Sequence, residues 1–390
     1  MHLFIVDLFI SLDTVAPIID GLNKKGQKTK ICFVNPMQDF SHHRLIRYLN
    51  KSKFNQNHGQ LCLGFVNKIN YIVLKIIMSL PSFFLNKLNR IWKKIYISKI
   101  FFNENNFIKF LKKNDFKSVT IEESLPKNKR KLIINACNKI NIPVLCIASG
   151  LFTIKLKKDK EIYLFEKINF YLSPNLFSPY NKKIQTSKKF LLCGSPRYDT
   201  KWMIKLKKIY CCKNALKNKK IKIAYFLRST SENLNDHLKL IEKIKKIKNI
   251  EIKFGNKPRE IGPLKSSLFS KDELNTTELI VWSDIVISAP TSILVDSVQR
   301  KKITICLEYL TPEGYTKSHF SDHSNVVMIA NSANKAINII NEFNNNKLKS
   351  SNTNDRALFL NSFINKRNKN YSIIRNIVKY YLNIKTICKI

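Results

Sequence analysis

Short β-branched runs alternate with stretches of helical apolar period along most of the chain. That alternation confines the fold to parallel sheets covered on both faces by helices. LFIVDLF (3–9) reads as a strand, residues 12–22 carry a helical pattern, and Gly26 precedes a second strand, KICFV (30–34). Residues 38–60 are polar and read as loop. The rhythm resumes with SVTIEE (118–123), a helix through about 132–138, IPVLCIASG (142–150) and EIYLF (161–165). YLSPNLFSPYNKK (171–183) turns repeatedly without a persistent period, so the domain junction is expected within 171–189.

The second half repeats the pattern. Strands are expected at 189–194, 221–226, 250–254, 284–289, 303–309 and 325–330. Helices are expected at 198–215, 276–282, 293–299 and 333–343, with a helical apolar stripe at Leu234, Leu238, Ile241 and Ile244. Residues 344–362 are Asn-rich and read as mobile, and a last helix at 371–381 crosses back to cap the N-terminal half. The fold class is therefore α/β, with two parallel-sheet, Rossmann-like domains facing a cleft. One α/β domain spans 1–175 and a second spans 185–345. An Asn-rich linker and C-terminal helix complete the chain at 346–390. At 390 residues and 44% hydrophobic, the chain can bury cores for two or three domains. Wholesale disorder is excluded.

Lys and Arg number 69 against 27 Asp and Glu, a formal charge of +42, which suits polyanionic surroundings. Nucleic acid is a poor partner, because the bases run all along the chain and no helix-turn-helix, finger or RNP-like signature is present. A Lys- and Asn-loaded surface also accounts for the charge. The nine cysteines are odd in number and several lie in apolar runs, as reduced thiols in a cytoplasmic protein do. The N-terminal apolar run lacks a basic flank and carries Asp7 and Asp13, unlike a signal peptide. Residues 61–115 interleave aromatic and aliphatic side chains with ten Lys and Arg against Glu104 and Asp115. Lys75 and Pro81 interrupt the apolar run there. The segment therefore reads as a basic amphipathic insertion lying on an anionic membrane surface, or as helices packed on the first sheet.

No glycine-rich dinucleotide loop, P-loop, metallopeptidase helix or calcium loop occurs, and no cofactor or metal is called for. Two loops carry the chemistry. CGSPRYD (193–199) follows a strand. Gly194 permits a tight turn and close approach of a ligand, Ser195 can donate, Arg197 offers a planar fork for phosphate, and Asp199 can cap the next helix. Arg197 paired with Asp199 in a purely structural turn is the alternative. In DIVISAPTSILVD (284–296), Pro290, Thr291 and Ser292 open a helix whose first N–H groups and dipole favour an anion. An ordinary helix cap is again the alternative. Lys257 and Arg259, just after another strand, either neutralise a nucleotide diphosphate or are solvated bases. Glu308 either holds a ribose or sugar hydroxyl or sits on the surface. Asp13 and Glu122, near strand ends, are weak candidates for a catalytic base.

CGSPRYD, SDIVISAPTSILVDSV and KKITICLEY resemble the C-terminal half of GT-B-type transferases of the CDP-glycerol glycerophosphotransferase and surface-polysaccharide glycosyltransferase group. The resemblance covers about 1–50 and 116–345. It implies transfer from a nucleotide-activated donor to a cell-surface glycan or lipid-linked acceptor, at the cytoplasmic face of the membrane. It also implies that Gly194, Ser195, Arg197, Asp199, Thr291 and Ser292 handle donor phosphate, with Asp296 supporting the helix. The chain departs from the group at Ser149 and Gly150, at Asn256, Lys257 and Pro258, and at Ala289 and Pro290. The group's catalytic or phosphate-contacting histidines therefore have no counterpart here. Sugar transfer gains over glycerol-phosphate transfer. A nucleotide-sugar 2-epimerase and an inactive membrane-associated scaffold are the alternatives.

Overall fold

The computed structural model describes residues 1–7, 9–34, 43–54, 104–148, 150–151, 153–156, 167–175, 177, 189–210, 220–227, 234–255, 276–311, 315–346, 351–365 and 372–384. The first half contributes β1 (His2–Val6), α1 (Phe9–Asn23), β2 (Thr29–Phe33), α2 (Arg44–Leu49), α3 (Glu104–Lys113), β3 (Ser118–Glu122), α4 (Lys127–Lys139), β4 (Val144–Ile147), β5 (Ile154–Leu156), β6 (Phe170–Ser173) and β7 (Phe190–Leu192). Six of these strands form one parallel sheet in the order β2-β1-β3-β4-β6-β7. Alternation along β1 sends Leu3 and Ile5 to one face and Phe4 and Val6 to the other, and both faces are buried.

The second half begins with α5 (Thr200–Ile209) and β8 (Ile221–Phe226). It continues through α6 (Leu234–Lys245), β9 (Ile250–Gly255), α7 (Thr276–Trp282), β10 (Ile285–Ser288), α8 (Ser292–Gln299), β11 (Ile303–Leu307), β12 (Tyr315–Ser318), β13 (Met328–Ala330) and α9 (Ala333–Asn344). Its five-stranded parallel sheet has the order β13-β11-β10-β8-β9. The chain ends in α10 (Thr353–Ile364) and α11 (Ile373–Leu382).

Four expectations change. First, the sheet runs on through 171–189: β6 pairs with β7 at Tyr171↔Phe190, and α5 buries Trp202, Met203 and Leu206 in the first domain's core. The change of sheet therefore falls between Leu192 and Ile221. The apolar run of β7 fits either sheet equally, so its sequence did not reveal the allegiance. Second, the Asn-rich stretch contains α10. Asn352 caps it by accepting from the Asp355 N–H at 2.7 Å, and Phe359, Phe363 and Ile364 fill the second domain's core. Third, α2 interrupts the loop expected at 38–60, with Leu45, Ile46 and Leu49 buried. Fourth, residues 104–113 of the basic segment follow the packed alternative: they form α3, whose Phe107 and Leu111 are buried in the first domain's core. Residues 61–103, and the strand expected at 161–165, lie outside the described residues.

The last helix crosses back as expected. α11 packs on α1, and the Tyr381 hydroxyl and Thr120 Oγ1 are 2.7 Å apart. The crossing passes over Gly194, which sits in the left-handed region at φ 83°. A side chain there would meet the Ile364 carbonyl at 2.7 Å, so its freedom serves chain packing. A second link between the halves is antiparallel: β5 pairs with β12, and the His319 N–H donates to the Thr153 carbonyl at 3.0 Å. Asp199 caps α5 by accepting from the Lys201 N–H at 3.0 Å. Its other oxygen accepts from Ser372 Oγ at 2.8 Å and the Ile374 N–H at 3.3 Å, at the start of α11. Asp199→Ala should lower unfolding free energy by about 2 kcal/mol, two caps at about 1 kcal/mol each. Asp199→Asn, which keeps one acceptor oxygen, should lose about half of that in urea or thermal unfolding.

Candidate functional site

The two loops singled out from sequence follow strands of different sheets, CGSPRYD after β7 and SAPTS after β10. They nevertheless meet. Pro196–Tyr198 forms one turn of 3₁₀ helix, and buried Tyr198 reaches into the second domain's core. Its hydroxyl donates to the Ser292 carbonyl at 3.0 Å, while Gln299 Nε2 donates to the Tyr198 carbonyl at 2.8 Å. Arg197, one residue earlier, lies toward Asp13 of α1, while Tyr198 is tied to the first turn of α8. Tyr198 lies inside the motif, but its bond to a residue 94 positions away leaves no local signal.

The Arg197 side chain is only 15% exposed, and the carboxylate nearest to it is that of Asp13, at 4.0 Å. The guanidinium also lies 5.0 Å from the centre of the Tyr198 ring. Burial acts to discharge it, and the field of Tyr198, Asp13, Asp296 and Tyr210 outweighs burial, so its proton is held more tightly than usual. Burial raises the Asp13 carboxyl; Arg197 opposes that and Asp296 adds to it. Burial likewise raises the hydroxyls of Tyr198 and Tyr210.

α8 starts at Thr291, which has extended backbone at φ −148° and makes no side-chain cap bond to the helix. Its Oγ1 lies 3.4 Å from Ser288 Oγ. Thr291 and Ser292 are half-buried. Asp296 faces inward and pairs with Arg300 at 3.0 Å, with side chains 4% and 6% exposed. Ser195 and Asp199 are buried. Glu308 turns to β12, accepting from the Ser318 N–H and Ser318 Oγ, each at 2.5 Å. It thus holds the strand that bridges the domains. Lys257 and Arg259 lie outside the described residues.

Across the C-terminal edge of the first sheet sits a second set of ionisable groups, only partly anticipated. Glu122 is buried at the end of β3 and accepts from Ser124 Oγ at 3.3 Å. Lys129, buried in the first turn of α4, reaches Asp7 at 3.5 Å, and burial pulls its ammonium down to about 8 despite that partner. Tyr171 donates to Glu123 at 2.8 Å. In sequence Lys129 is one base in KNKRK and gives no sign of burial.

Asp296→Ala would strand the buried Arg300 cation, so it should cost about 3 kcal/mol or more of stability. Asp296→Leu with Arg300→Met should recover most of it in chemical unfolding, separating this pair's packing role from any donor contact.

No family model and no curated protein matches the sequence. Solved structures do match. The UDP-GlcNAc 2-epimerase from Methanocaldococcus jannaschii superposes with a TM-score of 0.60 at 14% identity, over 98% of this chain and 100% of that one. The wall teichoic acid polymerase TagF, in a structure soaked with CDPG, gives 0.54 at 13% identity, over 100% of this chain and 89% of that one. Anabaena HepE, in complex with UDP and glucose, gives 0.52 at 9% identity, over 99% of both chains. With two helix-covered parallel sheets meeting at the Arg197 loop, the chain has the GT-B fold.

Proposed function

We propose that the chain is a transferase that moves a sugar, or a polyol phosphate, from a nucleotide-activated donor to a cell-surface glycan or lipid-linked acceptor. One observation carries the reading. Arg197 is a mostly buried guanidinium that makes no hydrogen bond among the described residues, and its nearest carboxylate is 4.0 Å away. A buried cation without hydrogen-bonding acceptors is costly, and a phosphate would supply them bidentately. Its neighbour Tyr198 is bonded to Ser292 in the first turn of α8, a helix start with no side-chain cap, whose N–H groups and dipole would add to the site. Lys257 and Arg259 follow β9 in sequence and complete the proposed diphosphate site. Gly194, Ser195, Asp199 and Asp296 act by holding the two loops in place. TagF soaked with CDPG and HepE with UDP and glucose share the fold and support the donor class.

Arg197 and the α8 start would stabilise charge developing on the departing phosphate. Arg197→Ala removes a charge-assisted contact of about 1.5–3 kcal/mol, so affinity for a nucleoside diphosphate should fall at least about tenfold. Calorimetry with UDP, CDP, GDP and ADP measures it. Unchanged binding in Arg197→Ala and in Thr291→Ala/Ser292→Ala would end the reading. The similarity to the M. jannaschii 2-epimerase favours epimerisation as the second reading. Turnover of a nucleotide sugar with no acceptor, giving its epimer and no phosphate product, would select it.

No helix among the described residues is long and apolar enough to cross a membrane. The basic, aromatic composition of 61–103 supports docking on the anionic cytoplasmic face of one. Liposome flotation should be strong for the natural chain and fall for a variant with Lys87, Arg90, Lys93 and Lys94 changed to Glu, at about 1 kcal/mol per lost base.

A further inference from the structure

α1 carries two aspartates seven residues apart, on one face of the helix. Their surroundings differ. Asp20 is saturated: Tyr48 donates to it at 2.7 Å, Lys205 reaches both its oxygens at 2.8 and 2.7 Å, and Lys24 lies at 3.2 Å. Asp13 makes no hydrogen bond among the described residues, keeps 31% of its side chain exposed, and has only the 4.0 Å approach to Arg197. That separation gives attraction without the short, directional bonds that fix a salt bridge. A phosphate forming such bonds would displace Asp13. The other ionisable groups around it are Tyr198 and Tyr210 from the first domain and Asp296 on α8.

Resting on the donor reading of Arg197, we propose that Asp13 is the counter-ion that donor phosphate displaces and, once displaced, the base that takes the acceptor's proton, so that donor binds before acceptor. In the step, the acceptor hydroxyl oxygen forms a bond to the transferred atom of the donor. The bond from that atom to its phosphate oxygen breaks, and its electron pair leaves with the nucleotide, facing Arg197. The hydroxyl proton passes to Asp13. While Arg197 faces Asp13 the carboxylate is a weakened base; burial and Asp296 raise its basicity once the cation is engaged by phosphate.

The test uses the full chain with UDP, CDP, GDP and ADP in calorimetry, and the corresponding nucleotide-sugar or CDP-glycerol donors in a hydrolysis assay. Asp13→Asn removes the competing charge and should bind the preferred nucleotide more tightly, by up to about fivefold, the upper end of what a partly exposed ion pair converts to. The gain should vanish in an Arg197→Ala background. Donor hydrolysis should fall at least about 100-fold, as loss of a general base requires. Thermal unfolding of Asp13→Asn at the natural chain's temperature excludes a folding defect. Unchanged or weaker binding by Asp13→Asn, with Arg197 still required in the natural chain, overturns the counter-ion role and leaves the donor reading standing. Tighter binding with undiminished hydrolysis overturns the base role. A natural chain that binds none of the four nucleotides overturns this inference and the donor reading together.

Discussion

The carboxylate of Asp199 ties the chain's late helices to its middle. One oxygen starts α5, the other starts α11, and the donors are backbone N–H groups and one hydroxyl held in the interior. Both helix starts need an acceptor, and a buried carboxylate needs donors, so each side meets the other's requirement. The position of Arg197 follows from this anchor. It stands two residues before Asp199, in a turn closed by the Tyr198 N–H to the Ser195 carbonyl and the Asp199 N–H to the Pro196 carbonyl. Gly194 lets the crossing chain lie against that turn.

Charge in the site is arranged against the trend of the molecule. The chain carries +42, and its bases run all along the sequence. Around Arg197 the charges balance instead, with Asp13 and Asp296 set against the guanidiniums of Arg197 and Arg300. Asp296 is committed to Arg300 at 3.0 Å. The outer positive charge would draw a polyanionic donor or acceptor from a distance, an effect screened beyond about 10 Å in ordinary salt. The local carboxylates then decide what stays.

The sequence made much of this architecture legible because the relevant signals are local. Runs such as IVIS and ITICL are buried on both faces, and the helix between them, α8, starts within one residue of its pattern, whereas α5 stops at Ile209, short of the 215 expected. Asp199 as a cap was legible for the same reason, as was a last helix returning to the first half. What escaped was long-range. The strand at 190–192 reads alike in either sheet, and only its pairing with β6 assigns it. The Asn content of 346–362 concealed an i, i+4 apolar pair, Phe359 and Phe363, whose rings lie 4.6 Å apart. Glu308 looked like a ligand for a hydroxyl. It does hold one, that of Ser318, ten residues on.

The meeting of two sheets at one arginine sets the order in which such a site can work. Arg197 belongs to the first sheet's last loop and α8 to the second sheet, so a phosphate site built from both exists only when the domains are in register. Links among the described residues that keep that register include the Tyr198 bonds to α8, the β5–β12 pair, the Arg44–Glu278 ion pair, and the passage from α10 on one core to α11 on the other. A site held this way is preorganised, and its donors need no rearrangement as charge develops. The other side of the cleft is built differently. There Asp7, Glu122, Glu123 and Lys129 crowd the strand ends of the first sheet alone, with a buried ammonium pulled down to about 8. The Arg197 loop thus draws on the joint between domains, while the first domain alone holds this second set of buried acids and bases.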